Sequence, residues 1–191
     1  MMVTAMMLPT AVPLFEAFGR IVGRRPDRRR LLVTLAVGFV GVWAAFGYLL
    51  RWADVALHVV VDHVEVVADR PHLIVAAVLV AAGTYQFSEL KQRCLMRCRS
   101  PRSLIVPRWS GGRAGADAFR IGVDYGVYCL GCCWMLMVLL FAVGMGNVGV
   151  MLALGLFMTL EKNVPRVRRL TPAVGALLVG AGVAIAVPTV A

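Results

Sequence analysis

Charge is scarce in this 191-residue chain: 16% of residues are Asp, Glu, Lys or Arg, 60% are apolar by type, and the mean hydropathy is +0.81. A soluble domain of this size carries about a quarter charged and about half apolar residues. The deficit excludes an ordinary soluble globule, and the composition also excludes disordered, collagen-like and disulfide-scaffold chains. Acidic groups are scarcest, ten against twenty basic. Catalytic signatures are missing: there is no phosphate-binding glycine loop, dinucleotide fingerprint, metalloprotease helix or catalytic triad, so hydrolases and transferases have no support and no enzyme is expected. The stretch MMVTAMMLPTAVPLF is expected to be a poor secretory signal, because it has no basic start and no clear small-residue cleavage site. Its apolar run begins at Met1 itself, which leaves a first span open to truncation. Cysteine is limited to five, an odd count that cannot pair completely, and in an intracellular setting such residues more often serve metal or redox chemistry than structural bridges.

What is present is apolar sequence in lengths that match a bilayer. A spanning helix needs about 20 apolar residues, at ~1.5 Å of rise each, to cross ~30 Å of hydrocarbon. Residues 31–50, 72–90 and 172–190 meet that length, the last with Pro172 in its first turn, where a missing N–H costs nothing. Residues 1–18 make a weaker span, interrupted by Pro9 and Pro13. Residues 126–160 contain no charge and as one helix would reach about 52 Å, too long for one crossing. Gly144, Met145, Gly146 and Asn147 supply turn residues near the middle, so a hairpin of 125–143 and 148–164 is expected.

Charge placement favours the hairpin. Six arginines fall in residues 20–30, Lys91 and seven arginines in 91–120, and four basic residues in 162–169, eighteen of the twenty in all. Residues 51–71 hold only Arg51 and Arg70 against Asp54, Asp62, Glu65 and Asp69. Six spans place the basic segments on one side and the acidic loop on the other, as the positive-inside rule asks. The expected architecture is an all-α polytopic helix bundle, a single integral-membrane domain over 1–191, in the bacterial inner (cytoplasmic) membrane. Its basic loops are cytoplasmic, and the acidic loop and both ends external. Within residues 53–69, Asp54, His58, Asp62, Glu65 and Asp69 form one polar stripe on an otherwise apolar helix, read as lying in the outer interface. With His63 beside it the stripe could collect a cation, although a solvated face is the plainer reading. The basic balance does not indicate nucleic acid, since no folded basic domain or aromatic platform accompanies it. Residues 99–120 are expected to lie along anionic headgroups.

All five cysteines fall near one expected membrane face. Cys94 and Cys98 follow the third span at i, i+4, and Cys129, Cys132 and Cys133 open the fourth at i, i+3, i+4, so each set shares a helical face. Converging sulfurs on two helix ends suit a soft metal, because thiolates and thioethers select Cu(I) or zinc over hard ions. Lys91, Arg93, Arg97 and Arg99 flank the first pair, and the start of the fourth helix is expected beneath the second set, both of which favour thiolate. Among ten methionines, Met2, Met6 and Met7 share a helical face that could extend a soft path, though methionine in a span is usually packing.

The runs YQFSELKQRCLMRCRSP (85–101) and GVYCLGCCWMLM (126–137), then GNV and LEKNVP (160–165), with AMMLP (5–9) near the start, resemble a bacterial family of metal-binding integral membrane proteins, domain of unknown function 2182. The similarity covers nearly the whole chain, and its members are often labelled copper chaperones. The resemblance implies that the CxxxC of Cys94 and Cys98 and the CLGCC of 129–133 are the family's signature, with Glu161 in its LEK element. Members usually have more apolar sequence before AMMLP than this chain has.

Three functions follow. In the leading one, two to four of Cys94, Cys98, Cys129, Cys132 and Cys133 bind a soft metal, Cu(I) before zinc, on the cytoplasmic side for delivery to a donor or acceptor protein or for translocation. Glu89, Lys91 and Glu161 would then orient ligands or accept released protons. In the second, Cys129 and Cys132 form a CxxC thiol–disulfide pair resolved by Cys94 or Cys98, but no quinone or flavin site is visible. In the third, cysteine is packing, Glu161 sits at the interface with Lys162, and the chain anchors a larger complex. Clustering of the sulfurs at one end of two helices favours the first.

Overall fold

The computed structural model describes residues 2–63, 71–143, 148–164 and 170–187 as helices joined by short connections, the first running unbroken across Pro9 and Pro13. In chain order these are α1 (Met2–Ile21), α2 (Arg28–His63), α3 (Pro71–Tyr85), α4 (Glu89–Arg99), α5 (Pro101–Ile105), α6 (Ala114–Val143), α7 (Val148–Asn163) and α8 (Thr171–Ala186). No strand occurs among the described residues, so the all-α expectation holds. Among the described residues two helices are long and apolar enough to cross a membrane, Arg28–Ala56 and Ala114–Phe141, or three if α3 and α4 count as one bent span. α8 is a shorter apolar helix, with its proline in the first turn as expected.

Several boundaries differ from the sequence reading. Among the described residues, no separate helix begins between residue 50 and His63. α2 continues to His63 because nothing from Leu50 to His63 is Gly or Pro, and Asp54 and His58 lie on its exposed end. The remaining members of that stripe and the 144–147 turn lie outside the described residues or side chains. The third span does not run unbroken to residue 90. Three successive i→i−3 hydrogen bonds, from the Gln86, Phe87 and Ser88 N–H groups, tighten the chain. α4 then restarts at 62° to α3. Ser88 caps it by accepting the Lys91 N–H on its hydroxyl (3.2 Å). The fourth helix begins at Ala114, not near 125. Gly111 turns the chain with a positive φ. Asp117 then accepts both the N–H and the hydroxyl of Ser110, tying that turn to the first helical residues.

Two compact units emerge, Met1–Leu49 with Arg93–Cys132, and Leu50–Gln92 with Cys133–Ala191. In the first, Met7, Ala11, Leu14 and Phe18 of α1, Leu31, Leu35, Phe39 and Trp43 of α2, and Ala118, Ile121, Tyr125 and Cys129 of α6 are buried stripes at helical spacing. α2 and α6 touch backbone to backbone. A Cβ on Gly38 would lie 2.5 Å from the Phe119 carbonyl oxygen, and one on Gly122 would strike the Leu35 carbonyl. Small residues permit such approaches, which matter most where lipid removes the hydrophobic drive between helices. The Phe18 ring meets the Trp109 ring edge-on at 5.1 Å. In the second unit, α3 and α8 pack antiparallel through Gly83 against Gly175 and Val179, and through Ala76 against Gly182.

Candidate metal centre

Each cysteine set rides on one helix: Cys94 and Cys98 are one turn apart on α4, and Cys129, Cys132 and Cys133 lie within two turns of α6. All five are buried, between 0% and 8% exposed, and none forms a disulfide. Four of them belong to the first unit, where α4 and α6 meet at a glycine. A Cβ on Gly131 would stand 2.6 Å from Cys94 Sγ, so the Cys94 thiol fills the space a side chain at 131 would take. The Cys132 thiol donates to the Cys129 carbonyl (3.1 Å) within its own helix. The Cys98 carbonyl accepts the buried Tyr125 hydroxyl (3.3 Å), which also lies 3.4 Å from the Thr10 carbonyl. Thr10 in turn donates to the Met7 carbonyl (2.8 Å), with its hydroxyl 4.0 Å from Met7 Sδ.

The arrangement seats the Cys94 thiol on α6 at Gly131, the residue before Cys132. Among the described residues, no three His, Cys, Asp or Glu side chains gather closely enough to hold a metal ion. The expected helix start beneath the second cysteine set is also corrected. Because α6 begins at Ala114, Cys129 lies four turns in, and the field of a helix terminus fades beyond its first turn. Of the flanking cations, Arg93 and Arg97 are exposed, and Lys91 pairs with Glu161.

Lys91 and Glu161 meet in the second unit. The Lys91 side chain is 1% exposed and that of Glu161 3%, and Lys91 Nζ lies 3.0 Å from Glu161 Oε2. Lys91 Nζ also donates to the Gln86 side-chain oxygen, and the Thr171 hydroxyl donates to Glu161 Oε1 (2.7 Å). The Phe157 ring lies 6.0 Å from the ammonium, within cation–π range. A buried ion pair persists only when its remaining hydrogen-bonding capacity is met, and Gln86 and Thr171 help to meet it. Glu161 is thus buried in an ion pair, whereas Glu89 is exposed.

Gln86, Thr171, Tyr125 and Gly131 were not singled out by sequence reasoning. Gly131 lay inside the CLGCC run, but nothing in sequence says that a thiol from another helix packs on it. Gln86 could have been found as a polar residue at the end of an apolar run, and Thr171 as a hydroxyl just before a helix-starting proline.

No curated protein and no solved structure matches the chain closely enough for comparison. One family model, described as PpoB2, copper chaperone, matches residues 1–185, a range that takes in all five cysteines and the buried ion pair alike. The match agrees with the resemblance carried by the two cysteine runs, and the chain belongs to the PpoB2 copper chaperone family.

Proposed function

We propose that this protein is a multi-pass membrane carrier of Cu(I), which it takes as cargo on the thiols of Cys94 and Cys132. Cys98, Cys129 and Cys133 are further sulfurs for its receipt and release. The observation that carries the reading is the Cys94 thiol seated against Gly131, the residue that precedes Cys132 on α6. Cu(I) is closed-shell and soft, so two sulfurs in a dry setting satisfy it. Zinc in a structural site asks for four ligands, and the lack of any three-residue donor group among the described residues weighs against it. Binding releases a proton from each thiol that becomes a ligand. Lys91, one turn before Cys94 on α4, and Glu161 serve to hold that helix in place rather than to touch the ion. The same reading makes residues 1–191 one integral-membrane domain of about six spans in a bacterial inner membrane. The arginine-rich segments face the cytoplasm, lipid surrounds the apolar faces, and a donor or acceptor protein meets the cysteine end.

The test is Cu(I) titration of detergent-purified protein against a chromophoric Cu(I) chelator. Wild type is expected to withdraw one equivalent. Cys94→Ser and Cys132→Ser are each expected to lose it, whereas Cys133→Ser loses less. Undiminished binding in the Cys94→Ser, Cys132→Ser double variant would overturn the assignment. A Cys129–Cys132 disulfide recovered from cells in place of copper would move it to thiol–disulfide exchange.

A further inference from the structure

Tyr125 of α6 is 1% exposed inside the first unit, and its side chain reaches three other helices of that unit. The ring packs beside Phe39 of α2, with centroids 6.0 Å apart and planes tilted by 46°. The hydroxyl lies 3.3 Å from the Cys98 carbonyl of α4 and 3.4 Å from the Thr10 carbonyl of α1. A phenol carries one proton, so it serves one of these two carbonyls at a time. Both separations are long for an O–H···O bond, which settles at about 2.7–2.8 Å, and the hydroxyl is shared rather than committed. Burial asks a tyrosine for one acceptor; a second one on a different helix makes this side chain a link. Its place along α6 matters as well. Tyr125, Cys129 and Cys132 stand at i, i+4 and i+7 and share a face. On α4, Cys98 follows Cys94 by one turn and falls among the last four residues, where carbonyls lie beyond the reach of the helix's own N–H groups. The hydroxyl thus grips the cysteine-bearing end of α4 from the cysteine-bearing face of α6.

We propose that Tyr125 is a positioning residue for the cysteine site: its hydroxyl latches the Cys98 end of α4 to α6, and the Thr10 carbonyl takes the proton's hydrogen bond when that latch opens. The inference rests on the reading of Cys94 and Cys132 as the copper-binding thiols, and it deepens that reading by naming what ties their two helices before the ion arrives. With the latch closed, Cu(I) meets sulfurs already in place. Without it, binding must also order the end of α4, a cost that preorganisation removes and that shows mainly as faster release.

The experiment is Tyr125→Phe in full-length, detergent-purified protein, which keeps the ring beside Phe39 and removes the hydroxyl. The first readout needs no copper: iodoacetamide labelling of the folded apo protein, resolved peptide by peptide. Labelling at Cys98 is expected to quicken about fivefold, as for the loss of one hydrogen bond, with Cys133 unchanged. Equal acceleration at both cysteines would mean general loosening and would overturn the proposal, as would no acceleration at Cys98. The second readout is the rate at which a Cu(I) chelator strips the loaded protein, expected to rise by about the same factor; release at the wild-type rate would overturn the positioning role. Should wild type take no Cu(I), the copper reading fails, and the labelling still decides the latch by itself. If Tyr125→Phe does not fold, replacing Tyr125 by a ring-fluorinated tyrosine, a stronger donor of nearly the same shape, is expected to slow labelling at Cys98. An unchanged rate there would overturn the proposal.

Discussion

Gly131→Ala tests how the Cys94 thiol is seated. The added methyl would stand 2.6 Å from Cys94 Sγ, where ordinary contact needs about 3.5–4.0 Å, so sulfur or helix must yield by roughly 1 Å. Two stability effects oppose each other. Replacing a mid-helix glycine by alanine gains about 1 kcal/mol of helix propensity, and overpacking costs about 1–3 kcal/mol. The balance is a loss of about 0–2 kcal/mol, a fall of a few degrees in Tm for a chain of this size. The variant should fold. Its Cu(I) affinity should fall further, by about 10–100-fold, the range seen when a ligand is reoriented without being removed. The assays are a thermal melt in detergent and the chelator competition, with Gly41→Ala as control because a methyl there meets nothing within 4 Å. Wild-type affinity together with a wild-type Tm in Gly131→Ala would refute the reasoning, since it would mean that no thiol is packed on that glycine.

Gly122→Ala drives a methyl into the Leu35 carbonyl and toward the Phe39 backbone nitrogen, atoms that cannot rotate away. We expect a loss of about 3 kcal/mol or more, read by denaturant or thermal unfolding, and a Tm equal to that of Gly41→Ala would contradict the helix crossing. Glu161→Leu strands a buried ammonium and should cost about 3–5 kcal/mol, most of it recovered when Lys91→Met is added; a double variant no more stable than the single would show that the two groups are not partners. Thr171→Val removes the donor to Glu161 Oε1 and should cost about 1.5–3 kcal/mol, as for hydrogen bonds to charged groups, measured by the same melts. In the loop after α1, the Arg25 side chain donates to Asp27 (2.9 Å) and holds that carboxyl below its ordinary value of 3.8. Because the folded value is the lower one, the clamp contributes fully above the ordinary value and is lost as pH falls through the lowered one. Carboxyl NMR titration should give a midpoint under 3.8 for Asp27, moved up by Arg25→Gln, and a midpoint at or above the ordinary value in the native chain would contradict the pairing.

Helix content was legible because apolar runs of bilayer length admit no other backbone, and Pro172 marked its helix start correctly. The boundaries that shifted were set by short-range chemistry that periodicity does not carry. Tight backbone turns at 86–88 stop a helix inside an apolar run and the Ser88 hydroxyl caps its restart, and Asp117 starts another in an arginine- and glycine-rich stretch that reads as loop. The cysteines and Glu161 stood out by residue type. Their partners did not, because Gly131 has no side chain to advertise a contact and Gln86 lies five positions from the lysine it meets. The pairing of Lys91 with Glu161, seventy residues apart, is a property of tertiary packing that a single sequence expresses only as two charges in apolar surroundings.

The most direct measurement is copper-edge X-ray absorption on the Cu(I)-loaded, detergent-purified protein. The account predicts a first shell made of sulfur alone with low coordination number, lost together in Cys94→Ser and Cys132→Ser. A first shell of nitrogen or oxygen, or a sulfur shell that survives the double substitution, would contradict it.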